Sequence, residues 1–291
     1  MATLYELLVA PFADFAFMQR ALLGSLMLSL GACPVGVFLM LRRMSLSGDA
    51  MAHAILPGAA AGFLFYGLEI LPMTVGGLAA GIVVALGAGA VSRFTIQRED
   101  ASMAAFYLIS LAVGVLMVSV KGSSVDLMHV LFGTVLALND ASLVLIGGIV
   151  AATLAALALF WRALVADCLD PLFLRSVSCM GGPAHFVFLG LVVLNLVGGF
   201  QTLGTLLSVG LMILPAAAAR FWAERVETMC ALSVAIGFAA CVAGLLLSYH
   251  LSLPSGPAII LSAGAVYLVS TIAGTRGALR ARLVPHRHRT A

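Results

Sequence analysis

An all-α bundle of membrane-spanning helices is the fold this sequence predicts. Three observations carry that prediction. The chain of 291 residues is 63% hydrophobic and only 9% charged, with a mean hydropathy of +1.16. A water-soluble domain carries roughly a quarter charged residues. The apolar stretches run for about 20 residues, the length of a helix across a bilayer and too long for a barrel strand. The basic residues between the stretches fall with a strong bias to one side.

The stretches follow in order along the chain. Residues 17–41 form the first, followed by Arg42 and Arg43. Residues 49–67 form the second, which opens at Asp49 and is rich in alanine and glycine. Residues 72–92 precede Arg93, and residues 102–120 lie between Arg98 and Lys121. Residues 140–164 carry Arg162 near their end. Residues 184–200 and 202–219 are nearly continuous and stop at Arg220. Residues 227–248 follow Arg225, and residues 257–274 precede Arg276. That makes nine crossings, or eight if one segment is re-entrant. Glycine and proline inside several of them are tolerated in membrane helices. The stretch 126–139 is polar enough to read as an outer half-helix dipping into the membrane rather than a span.

Orientation follows from arginine and lysine. With the N-terminus outside, the inner side holds Arg42, Arg43, Arg93, Arg98, Arg162, Arg175, Arg220, Arg225, Arg276, Arg280, Arg282, Arg287 and Arg289, and the outer side keeps Arg20 and Lys121. The whole chain, 1–291, reads as one transmembrane domain with a cytoplasmic loop at 166–183 and a basic cytoplasmic tail at 275–291. The N-terminal MATLYELLVAPFADF lacks a basic region and carries Glu6 and Asp14, so it does not read as a cleaved signal peptide. The five cysteines form no CxxC pair. Cys33, Cys230 and Cys241 fall in apolar runs and read as small hydrophobes, Cys168 and Cys179 as reduced thiols.

Several functions are excluded. No GxxxxGK[ST] exists and the sole lysine is Lys121, so the chain does not bind ATP as a P-loop enzyme. No HExxH exists, which argues against an intramembrane metalloprotease. Nothing points to nucleic acid.

The most informative segment is SLSGDAMAHAILPG at 45–58. Asp49 and His53 lie four apart, a spacing that stacks both on one helix face. Ionisable groups at membrane depth are costly and mark a substrate or ion path. Carboxylate oxygen and imidazole nitrogen are ligands for zinc, manganese and related divalent metals. Ala50, Ala52, Ala54, Gly58, Ala59, Ala60, Ala61 and Gly62 make the surroundings small, which lets helices approach closely. Pro57 sits one further turn along and frees a backbone carbonyl at the turn of Ala54. The pair therefore reads as metal ligands. Two ligands are fewer than the roughly four of a typical transition-metal site, and a second copy across a two-fold axis doubles them.

Two loops carry further candidates. In 169–182, Asp170 can cap a short helix started by Pro171, with Leu172 and Phe173 exposed to a cytoplasmic partner and Gly181 and Gly182 ending it. On composition alone a docking element and an ordinary connector both stand. In 125–133, Asp126 and His129 are three apart. A helix cap and a solvated interfacial histidine explain them more simply than an outer metal entrance, the second reading. His185, His250, His286 and His288 read as boundary or solvated residues.

At this point the residues resemble a known family. MSLSGDAMAHAILPG at 44–58, VDLMHVLFGTVLAL at 125–138, LDPLFLRSVSCMGG at 169–182, LGTLLSVGLMILPAAAAR at 203–220 and LPSGPAIIL at 253–261, in this order, resemble the membrane permease of ABC-type zinc and manganese importers. The resemblance covers nearly the whole chain. It implies a fold like that of the vitamin B12 importer permeases without their initial helix, and a homodimer in the bacterial cytoplasmic (inner) membrane. It also implies two cytoplasmic ATPase subunits and an extracytoplasmic metal-binding protein as partners. Asp49 and His53 correspond to the pathway ligands, and 169–182 to the element seated in the ATPase. No permanent cofactor is implied. The metal is transported, with zinc favoured and manganese next, by alternating access. A secondary transporter working without an ATPase is the rival reading.

Overall fold

The computed structural model describes residue 5 and residues 9–67, 69–120, 138–170, 174, 176, 178 and 181–277. Among the described residues there are eleven helices and no strand. They are α1 (Ala10–Asp14), α2 (Ala16–Leu41), α3 (Ser45–Ala54), α4 (Leu56–Tyr66), α5 (Ile70–Phe94), α6 (Glu99–Val120), α7 (Asp140–Leu169), α8 (Gly181–Leu203), α9 (Thr205–Ala219), α10 (Val226–Leu251) and α11 (Ser255–Ala273). Every stretch expected from hydropathy is helical. Among the described residues, seven helices are long and apolar enough to cross a membrane: α2, α5, α6, α7, α8, α10 and α11.

The other two stretches differ from simple spans. The 49–67 segment begins earlier, at Ser45, and is divided at Ile55 into α3 and α4. Pro57 is the cause, because it has no N–H to give to the carbonyl one turn back and its ring crowds that carbonyl. The buried Ser110 hydroxyl of α6 donates to the Ala54 carbonyl at 2.9 Å, so the disturbed turn is satisfied from outside the helix. The 202–219 segment starts only at Thr205, after Gly204 at φ 86. That left-handed backbone favours glycine and lets α8 turn directly into α9. With 15 residues, α9 reaches about 22 Å and falls short of the roughly 30 Å hydrocarbon core.

Long-range contacts sort the helix ends into two groups. Arg20 at the start of α2 pairs with Asp140 at the start of α7 (Nε to Oδ1, 3.1 Å), and Phe15 packs on Tyr249 near the end of α10. At the opposite end, Arg276 pairs with Glu224, and the Arg276 backbone N–H donates to the Phe221 carbonyl at 3.1 Å. These are the two sides that the arginine bias assigns. The Arg20–Asp140 side chains are 45% and 80% exposed, so the pair adds no more than about 1 kcal/mol.

The interior is built on α2 and α8. In these helices 72% and 67% of the spanning residues are buried, against 17% in α6. Asn195 of α8 donates to Thr153 of α7 at 2.9 Å, a buried polar tie of the kind membrane bundles use where apolar surface gives no preference between lipid and protein. Cys33, Cys230 and Cys241 are buried as the sequence suggested, and Cys168 is half-buried. Cys179 lies outside the described residues.

The stop at the end of α2 sets up everything that follows. Arg43 adopts φ 61, and the chain closes with Arg43 N–H to the Met40 carbonyl and Met44 N–H to the Leu39 carbonyl, both 3.0 Å. This is the paired Schellman closure, with buried Met44 covering the turn. It normally uses glycine, since a side chain in this region costs about 1 kcal/mol or more. Arg43→Gly is therefore expected to stabilise the purified protein by about 1 kcal/mol, read as a rise in the thermal midpoint in detergent. An unchanged or lower midpoint would show that Arg43 is not strained.

Candidate metal pathway and its cytoplasmic end

α3 buries one face and leaves the other open. Ser47, Gly48, Met51, Ala52 and Ala54 face the bundle. A Cβ on Gly48 would stand 2.7 Å from Leu39 Cδ2, with Met212 of α9 close behind, so a small residue is what lets α3 lie this near α2 and α9. The open face carries Leu46 at 85% exposure, exposed Asp49 and half-buried His53. These positions recur at three- and four-residue spacing, so they form one stripe. The structure thus brings the carboxylate and the imidazole to one face, as the spacing predicted.

Neither side chain is engaged. Among the described residues, no hydrogen bond or ion pair joins the Asp49 or His53 side chain to any other group. No group of three or more His, Cys, Asp or Glu side chains suited to a metal lies together among the described residues either. One chain offers a carboxylate and an imidazole on an open face rather than a closed interior cage.

The small residues after His53 also act as predicted. Gly58 and Gly62 of α4 lie against α5. A Cβ on Gly58 would fall 2.0 Å from the Gly76 carbonyl oxygen, and one on Gly62 2.6 Å from that of Pro72. The backbones touch, so the position of α4, and with it the end of α3, follows α5.

Asp170 is the C-cap of α7, extended and exposed, and its carbonyl accepts from the Leu174 N–H at 3.1 Å. Gly181 and Gly182 form the first turn of α8 instead of closing a preceding helix, because Pro183 is accepted within a first turn and lets the helix begin upstream of it. The connection between the long helices is consequently 170–180, shorter than the loop expected at 166–183. Pro171, Leu172 and Phe173 lie outside the described residues, as do Asp126 and His129. The expected tail is described only to Gly277.

One cluster was not foreseen. Arg42, expected on the inner side, has its side chain buried at the end of α2. Its Nη2 meets Asp167 Oδ2 at 2.8 Å, with both side chains 6–7% exposed. Its Nη1 lies 3.4 Å from His185 Nδ1. Arginine can only donate, so this contact needs Nδ1 as the acceptor. The guanidinium carbon sits 4.0 Å above the Phe188 ring; Nε has no acceptor among the described residues, and Nη2 meets Asp167 as an ion pair whose angles do not make a hydrogen bond. The available signal was that Arg42, Asp167 and His185 all fall at helix ends assigned to the inner side. Spacing in sequence does not say which of several charges there would pair.

Comparison with known proteins agrees with this architecture. The ABC 3 transport family matches residues 14–274. The chain is 33% identical over 257 residues to the manganese import system permease protein ScaB of Streptococcus gordonii, covering 88% of this chain and 91% of that one. It is 30% identical over 257 residues to the manganese transport system membrane protein MntC of Listeria monocytogenes, at 88% and 90% coverage. The solved structure of PsaBC from Streptococcus pneumoniae in complex with Fab superposes with a TM-score of 0.83 at 31% identity, covering 94% of this chain and 98% of that one. A multi-pass helical bundle matched over this length to ABC permeases is a protein of the bacterial cytoplasmic membrane, and the chain belongs to the ABC 3 transport family.

Proposed function

We propose that this chain is the permease subunit of an ATP-driven importer that carries Mn²⁺ into the cytoplasm, with Asp49 and His53 as ligands the ion meets on the way. The observation that carries this reading is the open stripe of α3, where a carboxylate and an imidazole stand without partners. A carboxylate turned toward acyl chains is costly, by about 3 kcal/mol at the bilayer centre on the gentler insertion scales. That cost disappears if the stripe lines a hydrated path between two copies of the chain. A two-fold axis beside α3 supplies two carboxylates and two imidazoles, and the site stays open enough for the ion to leave. α6 packs beside α3 and presents Leu108, Ile109 and Leu116 outward, apolar surface for the second copy and for lipid.

Manganese takes the place of the zinc that the motif resemblance favoured. Relatives at 30% and 33% identity are named for manganese, and carboxylate oxygen suits that ion. The ATPase subunit seats on the 170–180 connection, using Asp170, Pro171, Leu172 and Phe173 between the two long helices. An extracytoplasmic metal-binding protein delivers the ion near Asp126 and His129. ATP binding closes the ATPase pair, and the motion opens the α3 stripe alternately to each side. No bond of the substrate is made or broken.

Uptake of labelled Mn²⁺ and Zn²⁺ in a bacterial strain lacking its other importers of both ions tests this. Mn²⁺ uptake is expected to require a co-purifying ATPase subunit and to survive collapse of the proton gradient. Uptake that needs no ATPase and stops with the gradient would replace this reading with a secondary transporter. A preference for Zn²⁺ would overturn the metal assignment alone.

A further inference from the structure

We propose that Arg42 is a positioning residue that transmits movement of the 170–180 connection to the metal-binding helix, through its buried contacts with Asp167 and His185. The inference rests on the importer reading above and adds the route by which its two ends communicate.

The placement of the three residues carries the argument. Asp167 stands three residues before Asp170, where α7 gives way to the connection, and His185 stands four residues after Gly181, where α8 resumes. Arg42 reaches both, at 2.8 Å and 3.4 Å, and stacks on Phe188 one turn further along α8. One guanidinium thus holds both ends of the segment proposed to receive the ATPase. On its other side, Arg42 is separated from Ser45, the first residue of α3, only by Arg43 and Met44. Those two residues sit in the doubly hydrogen-bonded turn described above, which has little freedom to absorb a displacement. Asp49 follows one turn into α3.

The chemistry explains why such a link moves as a unit. Separating a buried ion pair leaves an uncompensated charge in a low-dielectric interior, a heavy penalty compared with a small rigid-body shift of the helices. The pair therefore stays closed while its helices move, and α3 follows. A pair that serves packing alone has no need of this location. Apolar side chains of similar volume generally replace a buried pair without loss of stability. That distinction makes the inference testable.

The double variant Arg42→Met/Asp167→Leu, in the permease–ATPase complex reconstituted in liposomes, separates the two roles. Its thermal midpoint is expected to match the parent within error, while ATP hydrolysed per Mn²⁺ transported rises at least tenfold. Arg42→Lys keeps the charge but loses the forked reach to His185 and the stacking on Phe188. It is expected to assemble and to raise the same ratio at least threefold, which covers the case in which the double variant fails to assemble. A parental ratio in either assembled variant overturns the role of Arg42 and leaves the importer reading intact. If the parent complex shows neither Mn²⁺- nor Zn²⁺-dependent ATP hydrolysis, the importer reading falls and this inference falls with it.

Discussion

Asp49→Ala and His53→Ala are each expected to lower Mn²⁺ uptake at least a hundredfold while the permease still assembles in the membrane. The separation of the two effects is the content of the prediction. Asp49 is exposed and has no partner among the described residues, so its removal breaks no packing contact and leaves no group orphaned. Exposed substitutions of this kind usually change stability by less than about 0.5 kcal/mol. His53 is half-buried, and alanine there sacrifices a modest contact area. Transport, in contrast, loses a direct ligand on the proposed role. Changing only the groups that orient ligands already costs about 10–100-fold, and a missing ligand should cost more. The readouts are initial rates of labelled Mn²⁺ uptake, set against the amount of assembled complex and its thermal midpoint. Parental uptake by both variants would remove the ligand role. Loss of assembly along with uptake would make the pair structural.

The second large effect is expected away from any polar group. Gly58→Ala should destabilise the bundle by about 1–3 kcal/mol. The added methyl would sit 2.0 Å from the Gly76 carbonyl oxygen and 2.7 Å from Ala80 Cβ. The reciprocal change, Gly76→Ala, would set a methyl 2.2 Å from the Gly58 carbonyl oxygen. These neighbours are mostly backbone, which cannot swing aside as a side chain would, so α4 and α5 must part. Alanine also favours the helix by up to about 1 kcal/mol relative to glycine, and the steric term outweighs it. Gly148→Ala isolates that propensity gain, because a Cβ there has nothing within 4 Å. The expected order of thermal midpoints is Gly148→Ala at or above the parent, with Gly58→Ala and Gly76→Ala several degrees below. Mn²⁺ uptake should fall with Gly58→Ala as well, since α4 continues directly from the end of α3 near His53. Equal midpoints for Gly58→Ala and Gly148→Ala would mean that the close approach of α4 and α5 does not matter to stability.

These predictions draw on features of unequal legibility. The stripe of Asp49 and His53 was readable because it depends on helical repeat alone, and any helix through 45–54 puts positions four apart on one side. The touching backbones of α4 and α5 were half readable. The run of alanine and glycine after His53 announced close packing, but the partner glycine on α5 was not identifiable. The break at Ile55 had its cause in plain view at Pro57, whereas Ser110, which repairs the turn, comes from a helix 56 residues away. The stop after α2 was signalled by paired arginines as a membrane boundary. Its left-handed residue is Arg43 rather than glycine, so turn chemistry offered no hint of its geometry.

What the sequence determined by itself is whatever depends on one segment at a time: the helical state of the nine apolar stretches, seven of them single helices long enough to span, and a shared face for Asp49 and His53. Bilayer thickness and helical repeat act on each segment regardless of its neighbours. Only the tertiary structure decided that α3 turns this face outward and unpaired. It also decided that Arg42, Asp167 and His185 meet in the interior, although Arg42 and His185 lie 143 residues apart. Such meetings depend on which helices become neighbours, a choice made by the summed packing of many small side chains in which no single residue announces its partner.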